Sequence, residues 1–342
     1  MRKKSKYNVA VVGVGAVGVE MLRVLRSRDF PVRDLKVLAR SGRVIGVDGH
    51  SYHVEEITPA AFDGVDIALF AGTEGEKGAA VTYAAEAVRR GALVIDNGAD
   101  FRLEADVPLV VPEVNPRDAG KALKGRGIIA NPNCSTIQMV VALAPIHKLL
   151  RIKKVVVATY QAASGAGSKA AQELVEQTRG VLEGRQVVPQ ALGQRIAFNL
   201  FPQIGGFSEA GYTSEEWKMV HETRKILHDP KLNVSATTVR VPVRTGHGEA
   251  VYIECRRPVD IAAVRQALSR APGIVVVDDP AAARYPMPAD VEGKDDVFVG
   301  RIRKDPSDEK ALWLWVVADN LRKGAATNAV QIAELFIKKG GK

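Results

Sequence analysis

The stretch Asn8-Val-Ala-Val-Val-Gly13-Val-Gly15-Ala-Val-Gly18 decides how this chain folds. A short apolar run enters a turn with three glycines, and Ala/Glu/Arg-rich sequence follows at 17 to 28. A β-branched run, a Gly-rich turn and a helix form the first half of a βαβ unit. In that setting the Gly-x-Gly-x-x-Gly spacing has a chemical meaning. Glycines let the backbone turn tightly and approach a pyrophosphate, and the unpaired N–H groups at the helix start attract it. The same spacing also fits a Gly-rich turn that holds no ligand.

Outward from this stretch the alternation continues. Short runs at Lys36 to Ala39, Asp66 to Phe70 and Leu93 to Asp96, with a helical segment at 79 to 90, make residues 7 to 130 a set of βαβ units around a parallel sheet. Between 153 and 320 the pattern changes. Longer strand candidates with period-two character appear at Val155 to Tyr160, Val234 to Val243, Val251 to Arg256 and Leu312 to Val317, with fewer crossovers. They predict an antiparallel or mixed sheet in an α+β domain. After Gly324, apolar residues at Ala329, Ile332, Ala333 and Phe336 have helical spacing. The expected fold is α/β, a Rossmann-type parallel-sheet nucleotide domain plus an α+β domain. No internal repeat is visible.

With 342 residues, 46% hydrophobic and 25% charged, the composition is that of a globular protein of two domains. Apolar stretches such as Met139 to Ile146 fall short of the roughly 18 residues that a membrane span needs. The basic N-terminus runs into the Gly-rich turn with no cleavage site and reads as a short cytoplasmic start. Two cysteines, Cys134 and Cys255, exclude a disulfide scaffold and favour a reducing compartment. The net charge of +9 is spread along the chain without aromatic-interleaved basic runs. It suits the steering of anionic small molecules more than nucleic-acid binding, and no metal site is expected. Where an NAD enzyme would place an acid after its second strand, this chain has Arg40, Ser41 and Arg43. Positive groups there suit a 2′-phosphate and favour NADP.

A second informative stretch is Ile128-Ile-Ala-Asn131-Pro132-Asn133-Cys134-Ser135-Thr136-Ile-Gln138, a strand, a sharp turn and a helix start. It puts the Cys134 thiol at a helix N-terminus, where the dipole stabilises a thiolate and lowers the pKa from about 8.5. The same N–H groups suit an oxyanion. The alternative is a small buried hydrophobe. That is the reading for Cys255, which lies in the strand Tyr252-Ile-Glu-Cys-Arg. A cysteine nucleophile needs a proton acceptor. His247 lies in Thr245-Gly-His-Gly-Glu249, a turn between two strand candidates where a side chain can face a cleft, although a plain loop histidine fits as well. His53 falls in a predicted strand, and His147, His221 and His228 on predicted helices, where solvated roles suffice.

Four motifs together resemble the aspartate-semialdehyde dehydrogenases of bacterial type. They are Asn131-Pro-Asn-Cys-Ser-Thr-Ile-Gln138, Thr159-Tyr-Gln161-Ala-Ala-Ser164-Gly-Ala-Gly167, Asp296-Val-Phe-Val-Gly-Arg-Ile-Arg303 and Trp315-Val-Val-Ala-Asp-Asn320-Leu-Arg-Lys-Gly-Ala-Ala326. The likeness runs from about Asn8 to Glu334. It implies reversible, NADP-dependent, phosphorylating oxidation of aspartate 4-semialdehyde to 4-aspartyl phosphate, on the route to lysine, threonine and methionine. By motif, Cys134 is the nucleophile, His247 the acid/base that takes up the proton, and Gln161 positions a thioester. Arg240 grips the substrate carboxylate, Glu215 meets its ammonium, and Arg102, Asn133 and Lys218 bind phosphate.

The same resemblance assigns cofactor contacts to Gly13, Gly15, Ala16, Val17, Gly18, Arg40, Ser41, Ser164, Gly165 and Asn320. It implies an NADP-binding domain of residues 1–133 and 322–342, a catalytic and dimerisation domain of 134–321, and a cytoplasmic homodimer or homotetramer. Simpler readings coexist for two residues. Thr213 and Glu216 have capping-box spacing, so Glu215 also suits a helix start, and Lys218 also suits a solvated helix face. The chain departs from the family pattern in its shorter glycine loop, in Ala71-Gly-Thr-Glu74-Gly-Glu76-Lys-Gly78 and in Asp96-Asn-Gly-Ala-Asp100. An N-acetyl-glutamyl-phosphate reductase-like enzyme and a catalytically silent dinucleotide-binding protein are the alternatives. A cysteine hydrolase leaves the Gly-rich loop unexplained.

Overall fold

The structure, a computed structural model, describes residues 5–72, 78–125, 127–208 and 210–339. Glu74 and Glu76 of the variant segment, and the first four residues of the basic N-terminus, lie outside the described residues. The chain forms two compact units, Met1–Asn133 with Ala325–Lys342, and Cys134–Gly324.

The first unit runs β1 (Tyr7–Val12), α1 (Ala16–Ser27), β2 (Val32–Ala39), β3 (Arg43–Val47), β4 (His50–Glu56), β5 (Ile67–Phe70), α2 (Ala79–Arg89), β6 (Leu93–Asp96), α3 (Gly120–Gly125) and β7 (Ile128–Ala130). Its seven-stranded sheet has the order β3-β4-β2-β1-β5-β6-β7. All neighbours are parallel except the hairpin β3–β4. Strand alternation splits the core in two. Val9 and Val11 pack with Met21 and Leu25 of α1 on one face, while Ala10 and Val12 pack with Ala80, Ala84 and Ala87 of α2 on the other. A parallel sheet covered on both faces needs apolar residues at nearly every strand position, and β1, β5 and β6 supply them apart from Asn8 and Asp96 at strand ends. The hairpin was not read from the sequence. Its signal is Asp48-Gly49, whose φ values of 47° and 79° suit a two-residue primed turn.

The chain leaves β1, the strand between β2 and β5, through the glycine turn, at the topological switch point where such sheets bind ligands. Gly13 has φ +100°, and a Cβ on Gly18 would lie 1.9 Å from the Gly13 carbonyl oxygen, so the loop can close onto α1 only without side chains there. At Gly15, which caps α1 without a side-chain hydrogen bond, a Cβ would meet nothing within 4 Å. Among the described residues nothing covers Gly15 at the helix N-terminus, a cradle that fits a pyrophosphate.

The second unit runs α4 (Cys134–Leu150), β8 (Ile152–Gln161), α5 (Ser168–Leu182), α6 (Ser214–Ile226), β9 (Asn233–Arg240), β10 (His247–Cys255), α7 (Ile261–Ser269), β11 (Ile274–Val276), α8 (Pro288–Val291), β12 (Val297–Lys304) and β13 (Ala311–Ala318). These strands form a mixed sheet of order β11-β12-β13-β10-β8-β9. Central β10 is antiparallel to β13 and β8, whereas β8–β9 and β11–β12 are parallel. The α4 helix is apolar around most of its circumference and packs between this sheet and helices α6 and α7, as a buried helix must. A last helix, α9 (Thr327–Lys339), returns to the first unit, where Ala329, Val330 and Ala333 join the α1 face of the core.

Three histidine expectations change. β10 starts at His247, four residues earlier than its strand candidate, so His247 is a fully buried strand residue and not a loop one. His228 lies beyond the end of α6 with φ 54°, in a turn. His147 is in the last turn of α4, but its Nδ1 is buried and burial depresses its pKa, so it is not simply solvated.

Candidate active site

Strand topology explains which side chains meet in the second unit. Gln161 and Arg240 end the parallel neighbours β8 and β9 and are register partners, while antiparallel β10 begins beside them with His247. Three polar side chains therefore converge at one end of β8, β9 and β10. Gln161, Arg240 and His247 are all buried, and each has found a partner, as burial demands.

The Ala162 peptide links two of them. Its carbonyl accepts from Arg240 Nη1 at 2.6 Å, and its N–H donates to His247 Nδ1 at 3.1 Å. A nitrogen that accepts carries no proton, so the neutral His247 ring holds its hydrogen on Nε2. Burial first, and then the nearby Arg240 charge, push its pKa down to about 3, against a weaker opposing pull from the Gly246 backbone. His247 is neutral at physiological pH and presents an N–H. As oriented, it can donate a hydrogen bond from Nε2.

Arg240 is also desolvated, which lowers its pKa, while the charges of Cys134 and Glu215 oppose that shift. Its guanidinium is thus within electrostatic range of both the thiol and the Glu215 carboxylate. Gln161 Nε2 donates to Glu215 Oε1 at 3.2 Å, and Gln161 Oε1 accepts from Thr159 Oγ1 at 3.0 Å. Glu215 lies in the first turn of α6, where the capping box between Thr213 and Glu216 is made. Glu216 completes the cap, while Glu215 accepts from Gln161. Lys218 Nζ stands 3.7 Å from Glu215 Oε2.

Cys134 opens α4 and is half-buried. Gly324 packs on it so closely that a Cβ there would lie 3.0 Å from Cys134 Cβ. Gly165 faces the other groups, where a Cβ would come within 3.0 Å of Arg240 Nη1 and 3.1 Å of His247 Nε2. Asn320 braces the turn before His247. Its Oδ1 accepts from the Gly246 N–H at 2.9 Å, and its Nδ2 donates to Ser164 Oγ at 2.9 Å.

The remaining candidates belong to the first unit. Arg102 is buried and donates from Nε to the Asn131 carbonyl and from Nη2 to the Asn97 carbonyl, both at 2.9 Å. Asn133 is buried at the end of that unit, just ahead of Cys134. Arg40 and Ser41 are exposed after β2, and Arg43 Nη1 reaches Ser41 Oγ at 3.3 Å. Ala16 and Val17 open α1 beside the glycine cradle. Among the described residues no cluster of three or more His, Cys, Asp or Glu could hold a metal, and no helix is long and apolar enough to cross a membrane.

Sequence reading missed two residues of this neighbourhood, Gln138 and Glu249. The available signals were spacing alone: Gln138 is one helical turn beyond Cys134, and Glu249 shares a strand face with His247.

The chain is similar to known proteins along nearly its whole length. Residues 8–122 match the semialdehyde dehydrogenase NAD binding domain and residues 143–323 the semialdehyde dehydrogenase dimerisation domain. The aspartate-semialdehyde dehydrogenase of Aquifex aeolicus is 52% identical over 98% of this chain and 99% of its own length, and that of Bacillus subtilis 49% over 97% of each. The chain belongs to the aspartate-semialdehyde dehydrogenase family. A crystal structure of aspartate semialdehyde dehydrogenase II from Vibrio cholerae complexed with ASA is 46% identical, covers 98% of this chain and 99% of its own, and superposes with a TM-score of 0.93. Membership makes the chain an oxidoreductase, and its glycine cradle lies in the family's nicotinamide-dinucleotide-binding part.

Proposed function

We propose that this chain catalyses the reversible, phosphorylating oxidation of L-aspartate 4-semialdehyde to 4-aspartyl phosphate through a thioester on Cys134. The observation that carries the reading is the convergence of Gln161, Arg240 and His247 at one end of β8, β9 and β10, with Glu215 hydrogen-bonded to Gln161 and electrostatically coupled to Arg240. A substrate with one carboxylate and one ammonium fits that charge pair, Arg240 taking the carboxylate in a bidentate fork and Glu215 the ammonium. An N-acylated substrate has no ammonium for Glu215, which disfavours the N-acetyl-glutamyl-phosphate reaction.

In the mechanism, the Cys134 thiolate adds to the aldehyde carbon, forming a C–S bond. The oxyanion accepts hydrogen bonds from His247 Nε2–H and from the start of α4. When bound, the dinucleotide supplies the acceptor for the hydride that the adduct loses, leaving the thioester. Gln161 orients that ester. A phosphate oxygen, held by Arg102, Asn133 and Lys218, then attacks the thioester carbonyl, the C–S bond breaks, and Cys134 leaves as thiolate. The thiolate is regenerated, and the proton released overall comes from the phosphate. His247 needs only to donate a hydrogen bond, in keeping with its neutral ring.

For the cofactor, Gly13, Gly15, Ala16, Val17 and Gly18 would hold the pyrophosphate, with Ser164, Gly165 and Asn320 as further contacts. Arg40 and Ser41 beyond β2 support NADP over NAD. A homodimer formed through the second unit completes the reading. Its support is the sheet face opposite α4, where Tyr160 meets Trp315 in a tilted pair and Tyr252 meets Trp313 edge-on, all at least partly exposed.

The test is an ultraviolet assay of dinucleotide reduction with aspartate semialdehyde and phosphate. Turnover should require phosphate, prefer NADP over NAD by at least about tenfold, which corresponds to 1.4 kcal/mol, and fail with N-acetyl-glutamate semialdehyde. Equal turnover of the acylated substrate would sink the proposal. Gly165→Ala should lower kcat/KM by about tenfold, because its Cβ displaces Arg240 and His247 by a fraction of the 1 Å that costs about 10²-fold. Unchanged kinetics in a folded variant would remove Gly165 from the site.

A further inference from the structure

β9 ends the sheet of the second unit, with β8 as its one strand neighbour. Backbone groups along a strand point alternately to either side, and the Val241 N–H points toward β8, donating to the Gln161 carbonyl at 3.0 Å. The N–H groups of Thr238 and Arg240 therefore point outward, where burial obliges each to find an acceptor. Arg240 finds the Phe201 carbonyl at 2.9 Å. Thr238 finds a side chain, Glu216 Oε1 of α6, also at 2.9 Å. The other oxygen of that carboxylate, Oε2, accepts from the Thr213 N–H at 2.7 Å, within the capping box. The cap alone does not call for a carboxylate, since Glu and Gln complete a capping box equally well. The edge strand does. Two backbone N–H groups converge on one buried side chain, and only a carboxylate offers an acceptor oxygen to each.

We propose that Glu216 is a positioning residue that fixes the spacing of Glu215 and Arg240, and with it the recognition of a substrate carrying both an ammonium and a carboxylate. Glu215 is its neighbour in the first turn of α6, and Arg240 lies two residues, about 7 Å, beyond Thr238 on β9. A single hydrogen bond, from the Thr238 N–H to Glu216, thus joins the segments that carry the two recognition residues. Thr238 and Arg240 share a strand face, and Thr238 Oγ1 meets Thr213 Oγ1 at 3.4 Å beside that bond. Thr213 and Thr238 are fully buried, so no solvent stands ready to replace a lost partner there. Gln161, the register partner of Arg240, adds a second tie by donating to Glu215. The two ties act differently. Gln161 orients the Glu215 carboxylate, whereas Glu216 sets where α6 begins relative to β9.

This inference rests on the reading of Glu215 and Arg240 given above. Glu216→Gln keeps the size and the capping box but has one acceptor oxygen, so its NH2 group confronts one of the two N–H donors. It should lower kcat/KM for aspartate semialdehyde by about 10- to 100-fold through KM, with kcat and the dinucleotide KM within about threefold of wild type. The rate of Cys134 alkylation by iodoacetamide should be unmoved. Glu216→Asp keeps the charge but is one methylene too short to reach both donors, and should show the same split. Thr213→Ala separates positioning from stability: it removes the capping hydroxyl and leaves both Glu216 bonds. That variant should melt at lower temperature with kcat/KM within about threefold of wild type. Wild-type KM in Glu216→Gln, a loss confined to kcat, an equal loss in Thr213→Ala, or failure of both Glu216 variants to fold would each overturn the inference. Failure of the parent reading looks different: the wild type would turn over the N-acylated semialdehyde equally well, or Glu215→Gln and Arg240→Ala would leave the semialdehyde KM unchanged.

Discussion

Cys134→Ala should reduce phosphate-dependent dinucleotide reduction by about 10⁴-fold or more, the loss seen when a covalent nucleophile is removed from a group of residues that act as a unit. The side chain is small, half-buried and at the start of α4, so the substitution deletes one sulfur and leaves the packing with Gly324 intact. The fold and the glycine cradle of the first unit should be unaffected. The measurement pairs steady-state turnover with dinucleotide binding by fluorescence: binding retained and turnover lost is the expected outcome. Turnover within tenfold of wild type would mean that no thioester forms on this residue.

His247→Asn should lower kcat by about 10²- to 10³-fold, the range for removal of one oxyanion donor. Asparagine suits the test because its amide oxygen can take the place of Nδ1 and keep the Ala162 N–H paired, while nothing replaces Nε2. The pH dependence follows from the pKa pushed down to about 3. The kcat profile of the wild type should show no histidine step near the ordinary 6.5. For stability, a native value below the unfolded one means a contribution present above pH 6.5 that is lost as pH falls toward about 3. Wild-type melting temperatures should drop over that interval, and those of His247→Asn should drop less. A rate step at 6.5 that vanishes in the variant would instead make His247 a titrating base.

The two predictions show where sequence reading sufficed and where it did not. The α/β class was legible because β1, β5 and β6 are apolar almost throughout and are separated by helical periods, the pattern of a doubly covered parallel sheet. The mixed second sheet was legible from its longer alternating runs. The β3–β4 hairpin was overlooked although Asp48-Gly49 announces it, since its strands are largely exposed and lack an apolar alternation. The start of β10 was misplaced for a related reason: Gly246-His247-Gly248-Glu249 has the composition of a turn, and only pairing with Ala318 and Val317 of β13 makes it strand.

By itself, the sequence determined the glycine cradle, the cysteine at a helix start and the two sheet types, because each follows from local propensity or from the period of apolar residues. Tertiary structure alone decided what those residues do to one another. The parallel pairing of β8 with β9 puts Gln161 beside Arg240, and the Ala162 N–H selects the His247 tautomer. Burial beneath α4 pushes the Glu249 pKa well above the ordinary 4.5, against a hydrogen bond from Gln138. Protonation depends on burial and on the atoms across a contact, and neither is a property of neighbouring letters in a chain.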